Sequence, residues 1–116
     1  MIDMIMKNDS NIKIPFVWAE GDIDYITPNY LFYHKDTLYG GFSFNESTRM
    51  FHEVCILPQF WNNGFGTAMM QEAIEFIPGT LYLKTWNLKA HHIYSKIGFI
   101  TEFTSGDTYN MIYERK

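Results

Sequence analysis

The sequence predicts an α/β (α+β) domain: a mixed, mostly antiparallel central sheet flanked by helices. Three observations predict it. The first half is a series of β-prone segments joined by short turns, which reads as an antiparallel meander. The second half alternates strand and helix signals in the order β-α-β-α-β-β. The composition, 47% hydrophobic and 18% aromatic over 116 residues, supplies one packed core and argues against disorder. The length is that of a single domain spanning 1–116.

Taken in order, Ile12 to Ala19 is apolar and β-prone and reads as the first strand. Pro15 suits only an edge or a bulge there. Gly21 to Thr27 is acidic and turn-like, with room for one helical turn. Asn29 to His34 is strongly β-prone, Lys35-Asp36-Thr37 turns the chain, and Leu38 to Phe44 returns as the partner strand. Asn45 to Thr48 forms a second turn. Arg49 to Leu57 is a further strand, stopped by Pro58. From Phe65 to Ile77, apolar residues at Phe65, Met69, Ala73, Phe76 and Ile77 mark a helix with one buried face. Pro78-Gly79 ends it. Thr80 to Thr85 is a short strand. Leu88 to Ile97 is a second helix, stopped by Gly98. Phe99 to Thr104 and Thr108 to Tyr113 are the last two strands.

Composition also narrows the function classes. Nine basic residues against thirteen acidic ones give a formal net charge of −4. Such a chain lacks the clustered cations that neutralise phosphate backbones, so no nucleic-acid partner is expected. Cys55 is the lone cysteine, which excludes an internal disulfide. The four histidines have no zinc-site spacing with it, so no metal is expected. No apolar run reaches the roughly 18 residues of a membrane span. The N-terminus carries Asp3 and lacks the basic and long apolar regions of a signal peptide, so a cytoplasmic protein is expected and no membrane partner.

The segment Ile56 to Met70, ILPQFWNNGFGTAMM, carries the first piece of chemistry. A strand ends at a proline, a loop rich in Asn and Gly follows, and a helix starts at the glycines. The first N–H groups of a helix have no internal partner and sit at the positive end of its dipole. Gly64 and Gly66 let a phosphate approach the backbone closely, so the segment reads as an anion cradle. Taken alone, the same pattern also fits a plain tight turn.

The resemblance is more specific than that. Trp61-Asn62-Asn63-Gly64-Phe65-Gly66-Thr67 is similar to the (Arg/Gln)-x-x-Gly-x-(Gly/Ala) loop of the Gcn5-related N-acetyltransferase (GNAT) family. Pro58 and Phe60 resemble the family's lead-in. Trp61 departs from the pattern, standing where Arg or Gln is usual. The second signature, Asn-x-x-Ala-x-x-x-Tyr-x-x-x-Gly-Phe, is matched at Asn87, Ala90, Tyr94, Gly98 and Phe99. The resemblance implies a GNAT fold and transfer of an acetyl group from acetyl-CoA directly to a primary amine of a small molecule or protein. It also implies a coenzyme A site formed by Ile56, Leu57, Trp61, Asn62, Asn63, Gly64, Phe65, Gly66, Thr67, Asn87, Ala90 and Tyr94.

Catalytic roles follow from the same match. Ala90 and Tyr94 share a helix face, with Ala90 leaving room for the cofactor arm. Tyr94 presents a phenol that stays protonated at neutral pH and can protonate the departing thiolate. On the strand before the loop, Val54 and His52 share the face of Ile56. His52 is the candidate base, with ordered water as the alternative. Glu53, the remaining catalytic candidate, points to the opposite face unless a bulge intervenes. Cys55 reads as a small core residue.

About ten residues, Ala19 to Pro28, separate the first predicted strand from the hairpin, where the family usually has two helices. That shortened region predicts an open acceptor site, or one completed by a second subunit, in a monomer or homodimer. Two other readings remain: a non-catalytic GNAT-fold module that binds coenzyme A or a protein, and a transferase using another acyl carrier.

Overall fold

The computed structural model describes residues 3–18 and 20–114. Its strands are β1 (Asp3–Lys7), β2 (Ile14–Val17), β3 (Ile23–Ile26), β4 (Tyr30–His34), β5 (Thr37–Asn45) and β6 (Met50–Ile56), followed by β7 (Leu81–Thr85), β8 (Ile100–Ser105) and β9 (Thr108–Tyr113). The helices are α1 (Phe65–Phe76) and α2 (Leu88–Lys96), with a 3-10 turn at Pro58–Phe60. Seven strands form one sheet in the order β1-β4-β5-β6-β7-β9-β8. All its neighbours are antiparallel except β6 and β7. The mixed, mostly antiparallel sheet with two flanking helices is the architecture that the sequence predicts.

Local chemistry explains the elements. The β4–β5 hairpin closes on Lys35 and Asp36, both at positive φ (50° and 65°), the combination that matches strand twist in a two-residue turn. α1 buries Met69, Met70, Ala73 and Ile74, and Ile77 at its C-cap is buried too. They join Phe32, Phe42, Phe44, Phe51, Leu81 and Leu83 in the core. Phe76, expected on that face, is 48% exposed and meets Tyr30 edge-on. α2 contacts β7 and β8 and has no fully buried residue. Gly98 follows it at φ 118°, the left-handed stop expected there.

The N-terminal third corrects the sequence reading. The strand that opens the sheet is β1, paired in register with β4 from Asp3↔His34 to Lys7↔Tyr30. The segment taken as the first strand instead supplies β2, and its predicted end at Ala19 lies outside the described residues. Gly21 to Thr27, read as a turn, supplies β3. The two pair only with each other, as a separate two-stranded sheet. Residues 8–29, not ten, therefore separate the sheet's first strand from β4, and the described part contains no helix.

Asparagines fasten this excursion to the sheet. Asn8 Nδ2 donates to the Ile12 and Pro28 carbonyls (2.8 and 2.7 Å), and its Oδ1 accepts from the Ile12 N–H. Asn29 holds both backbone groups of Phe44. Ile14, 1% exposed, pins the first strand of the hairpin.

Candidate functional site

The site lies where β6 and β7 part. Their parallel ladder consists of a single pair, Met50↔Tyr82. Past it the two strands open, and a cavity of about 700 Å³ lies between them. His52, Glu53 and Val54 line it from β6, and Lys84 and Thr85 from β7. Asn87, Ala90 and Tyr94 line it at and beyond the start of α2, and Phe16, Val17 and Trp18 from the β2–β3 hairpin. A second cavity of about 400 Å³ lies against the loop before α1, lined by Ile56, Trp61, Asn62, Gly64, Phe65, Gly66 and Thr67. The two cavities share Phe16, Val17, Val54, Lys89 and Ile93, so one cleft runs from the loop to the strand opening.

Aromatic packing sets the loop. Phe60 stacks on Tyr39 with ring centroids 3.8 Å apart, and Phe65 meets the same ring edge-on at 4.4 Å. Asn62 and Gly64 take left-handed backbone conformations (φ 64° and 80°), which turns the chain into α1. α1 has no side-chain cap and no acidic residue in its first turn. Its first backbone bond is Ala68 N–H to the Gly64 carbonyl (3.1 Å), so the N–H groups of Phe65, Gly66 and Thr67 have no intrahelical acceptor. A Cβ on Gly66 would have Ile56 Cγ1 as its nearest neighbour, at 4.0 Å, and one on Gly64 would meet nothing within 4 Å. Free donors, a positive dipole end and open space above two glycines fit the pyrophosphate of coenzyme A.

Trp61 does not face that space with a polar group. Its indole N–H donates to the Ile56 carbonyl at 2.7 Å. Asn63 Nδ2 donates to the Trp61 carbonyl, and the Leu57 N–H donates to the Tyr39 carbonyl (2.8 Å). Asn63 and Leu57 are the two expected cofactor residues that line neither cavity. Asn87 is the N-cap of α2, its Oδ1 accepting from the Ala90 N–H at 3.0 Å.

The strand carries an irregularity at the point that matters. The β5–β6 register jumps between Gly41↔Cys55 and Ser43↔His52. Glu53 sits within that bulge at φ 50°, a conformation costly for a non-glycine residue. The bulge is the exception that alternation alone allowed for: it brings His52, Glu53 and Val54 together on one cavity. Both His52 and Glu53 are exposed. Tyr94 lies across from them on α2, and burial pushes its phenol up to about 12. Burial, with a smaller contribution from the Glu53 carboxylate, also pushes the Cys55 thiol up to about 12. Cys55 is half-buried against the loop cavity rather than inside the core.

Sequence reasoning missed the hairpin wall of Phe16, Val17 and Trp18. It also passed over Lys89, which stands inside the second signature between Asn87 and Ala90 and bears the only positive charge among the described residues lining the loop cavity. For the hairpin, the unbroken apolar run Ile14 to Trp18 was the available signal.

Comparison with known proteins agrees with this geometry. A search of curated protein sequences returns no significant match. Among solved structures, one of Pyrococcus horikoshii OT3 (PH1933) has a TM-score of 0.59 at 21% identity, covering 75% of this chain and 64% of its own. A chimera of the spermidine N-acetyltransferase SpeG of Vibrio cholerae and hSSAT gives 0.57 at 20% identity, covering 73% and 64%. A GNAT-family acetyltransferase of Streptococcus pneumoniae gives 0.55 at 24%, covering 75% and 65%. The chain thus spans just under two thirds of the length of these structures, and at these identities the likeness is one of fold. The model of the acetyltransferase (GNAT) family matches residues 13–99, three quarters of the sequence, and the chain belongs to that family.

Proposed function

We propose that the protein is an acetyl-CoA-dependent N-acetyltransferase that acetylates a primary amine at the opening between β6 and β7. The observation that carries this reading is the single cleft joining two sets of groups. The uncapped first turn of α1 is at one end, and His52, Glu53 and Tyr94 are at the other. Acetyl-CoA would supply the activated thioester, and the chain's own residues position and protonate.

The N–H groups of Phe65, Gly66 and Thr67 bind the pyrophosphate. The backbone edge of β6 left free by β7 past Met50 accepts the pantetheine arm as an added strand would be accepted. Ala90, on the same helix face as Tyr94, leaves space for that arm. His52 takes the proton of the acceptor amine, and the Glu53 carboxylate attracts its cationic form before deprotonation. Tyr94 delivers a proton to the departing sulfur. Its phenol, raised by burial, is fully protonated throughout the neutral range and so is always charged with the proton it must give. The acceptor enters beside the hairpin, where Phe16 and Trp18 present aromatic faces suited to an amine.

The test is thiol release from acetyl-CoA in the presence of a panel of amines, including spermidine, the substrate named for one structural relative. Turnover with at least one amine, lowered about 10²- to 10⁴-fold in Tyr94→Phe, is expected from loss of a general acid. An unchanged Tyr94→Phe rate would remove that residue from the chemistry. In His52→Gln, turnover falls while affinity for acetyl-CoA is kept; unchanged turnover would leave ordered water as the base.

A further inference from the structure

The loop sequence lacks the cationic or amide side chain that normally stands at position 61, yet the cleft must hold an anion in a chain of net charge −4. Trp61 cannot substitute. An indole has one donor and no acceptor, and here that donor is committed to the Ile56 carbonyl at 2.7 Å. The opposite wall supplies the missing charge. Lys89 is the second residue of α2, and its Nζ reaches across to Asn62 Oδ1 at 3.4 Å. That single long contact is solvent-exposed and leaves the ammonium's remaining protons free. Of the described residues lining the loop cavity, Lys89 alone is cationic; Lys84 lines only the strand opening. The first turn of α2 is held by the Asn87 cap, which fixes where the Lys89 stem leaves the helix.

We propose that Lys89 is the cation that binds the cofactor pyrophosphate, reaching over from α2 to complete a cradle whose own loop side chain, Trp61, has its one donor committed to the Ile56 carbonyl. The inference rests on the coenzyme A reading above and adds a residue to it. A lysine acts here as a point charge on a flexible stem, so it needs proximity rather than the forked geometry of Arg. In the absence of cofactor, Asn62 holds the ammonium near the loop by a contact weak enough to be exchanged.

The test is calorimetric titration of wild type, Lys89→Met and Lys89→Arg with coenzyme A and with 3′-dephospho-coenzyme A. Lys89 is exposed, so thermal unfolding of both variants should match wild type. The expected result is that Lys89→Met weakens both ligands by the same factor, about tenfold, as for loss of a charge-assisted contact. Lys89→Arg retains most of the affinity. Raising the salt concentration weakens wild type more than Lys89→Met, because the lost contact is the screened one. Equal affinity of Lys89→Met and wild type would overturn the inference while leaving the cofactor reading intact. So would a loss confined to coenzyme A, which would put Lys89 on the 3′-phosphate. Failure of wild type to bind either ligand would overturn both.

Discussion

At the scale of single residues, Tyr94, Cys55 and Glu53 make separable predictions. The Tyr94 phenol and the Cys55 thiol are both pushed up by burial, from about 10 and 9 respectively to about 12. The folded state therefore holds both protons over a range in which the unfolded chain has lost them. Their contribution to stability is complete below pH 9 and is lost as pH rises towards 12. Urea midpoints measured at pH 8, 10 and 11 should fall, and fall less steeply in Cys55→Ala. A thiol held protonated is a poor nucleophile. Cys55 should thus resist alkylation by iodoacetamide at pH 8 in the folded protein and react once urea unfolds it. Rapid alkylation of the native protein would contradict the burial argument. Glu53 occupies the left-handed region at φ 50°, where asparagine is better tolerated. Glu53→Asn should raise stability by up to about 1 kcal/mol and lower turnover, the signature of strain kept for a functional group. A melting temperature that falls together with activity would make Glu53 a structural residue instead.

At the scale of elements, what the sequence revealed tracks how local the determinants are. The α1 loop was legible because proline, asparagine and glycine act within a few residues of themselves, and the Asn87–Phe99 signature because its positions lie on one helix and its cap. β1 was not legible. In DMIMK only Ile5 is buried while Met4 and Met6 are 46% and 45% exposed, so apolar residues on both faces erased the alternation. β3 was missed for the opposite reason. Ile23, Asp24 and Tyr25 are all exposed, and nothing in such a segment distinguishes a strand from a turn until a partner is known. The bulge at Glu53 depends on its pairing with β5, which strand alternation alone does not fix. Phe76 falls at the edge of the apolar stripe of α1, where a helical period cannot say which side of the boundary a residue takes.

For the whole molecule, the side of the cleft walled by the β2–β3 hairpin is where we place the acceptor. In the described residues a two-stranded hairpin, tied down by Asn8, Asn29 and Ile14, stands where the family resemblance led us to expect a shortened helical region. It places Phe16, Val17 and Trp18 over the strand opening, with the Trp18 indole N–H held by the Asp24 carboxylate across the hairpin (2.6 Å). Trp18→Ala should raise KM for the acceptor amine with little effect on the affinity for acetyl-CoA, because Trp18 lines the strand opening and not the loop cavity. An equal effect on both would mean that the hairpin also holds the cofactor.

The central claim is that the first turn of α1 and its glycines hold acetyl-CoA, and a bulky replacement, Gly66→Leu, tests it most directly. A Cβ at that position meets no protein atom closer than 4.0 Å, the rest of the side chain extends into the cavity that Gly66 lines, and leucine is a better helix former than glycine, so the fold should be unharmed. Any loss of binding then reports the ligand alone. Calorimetric titration with acetyl-CoA should give micromolar affinity for wild type and at least tenfold weaker binding for Gly66→Leu at an unchanged melting temperature. Equal affinity in the two proteins, or no binding by wild type, would contradict the account.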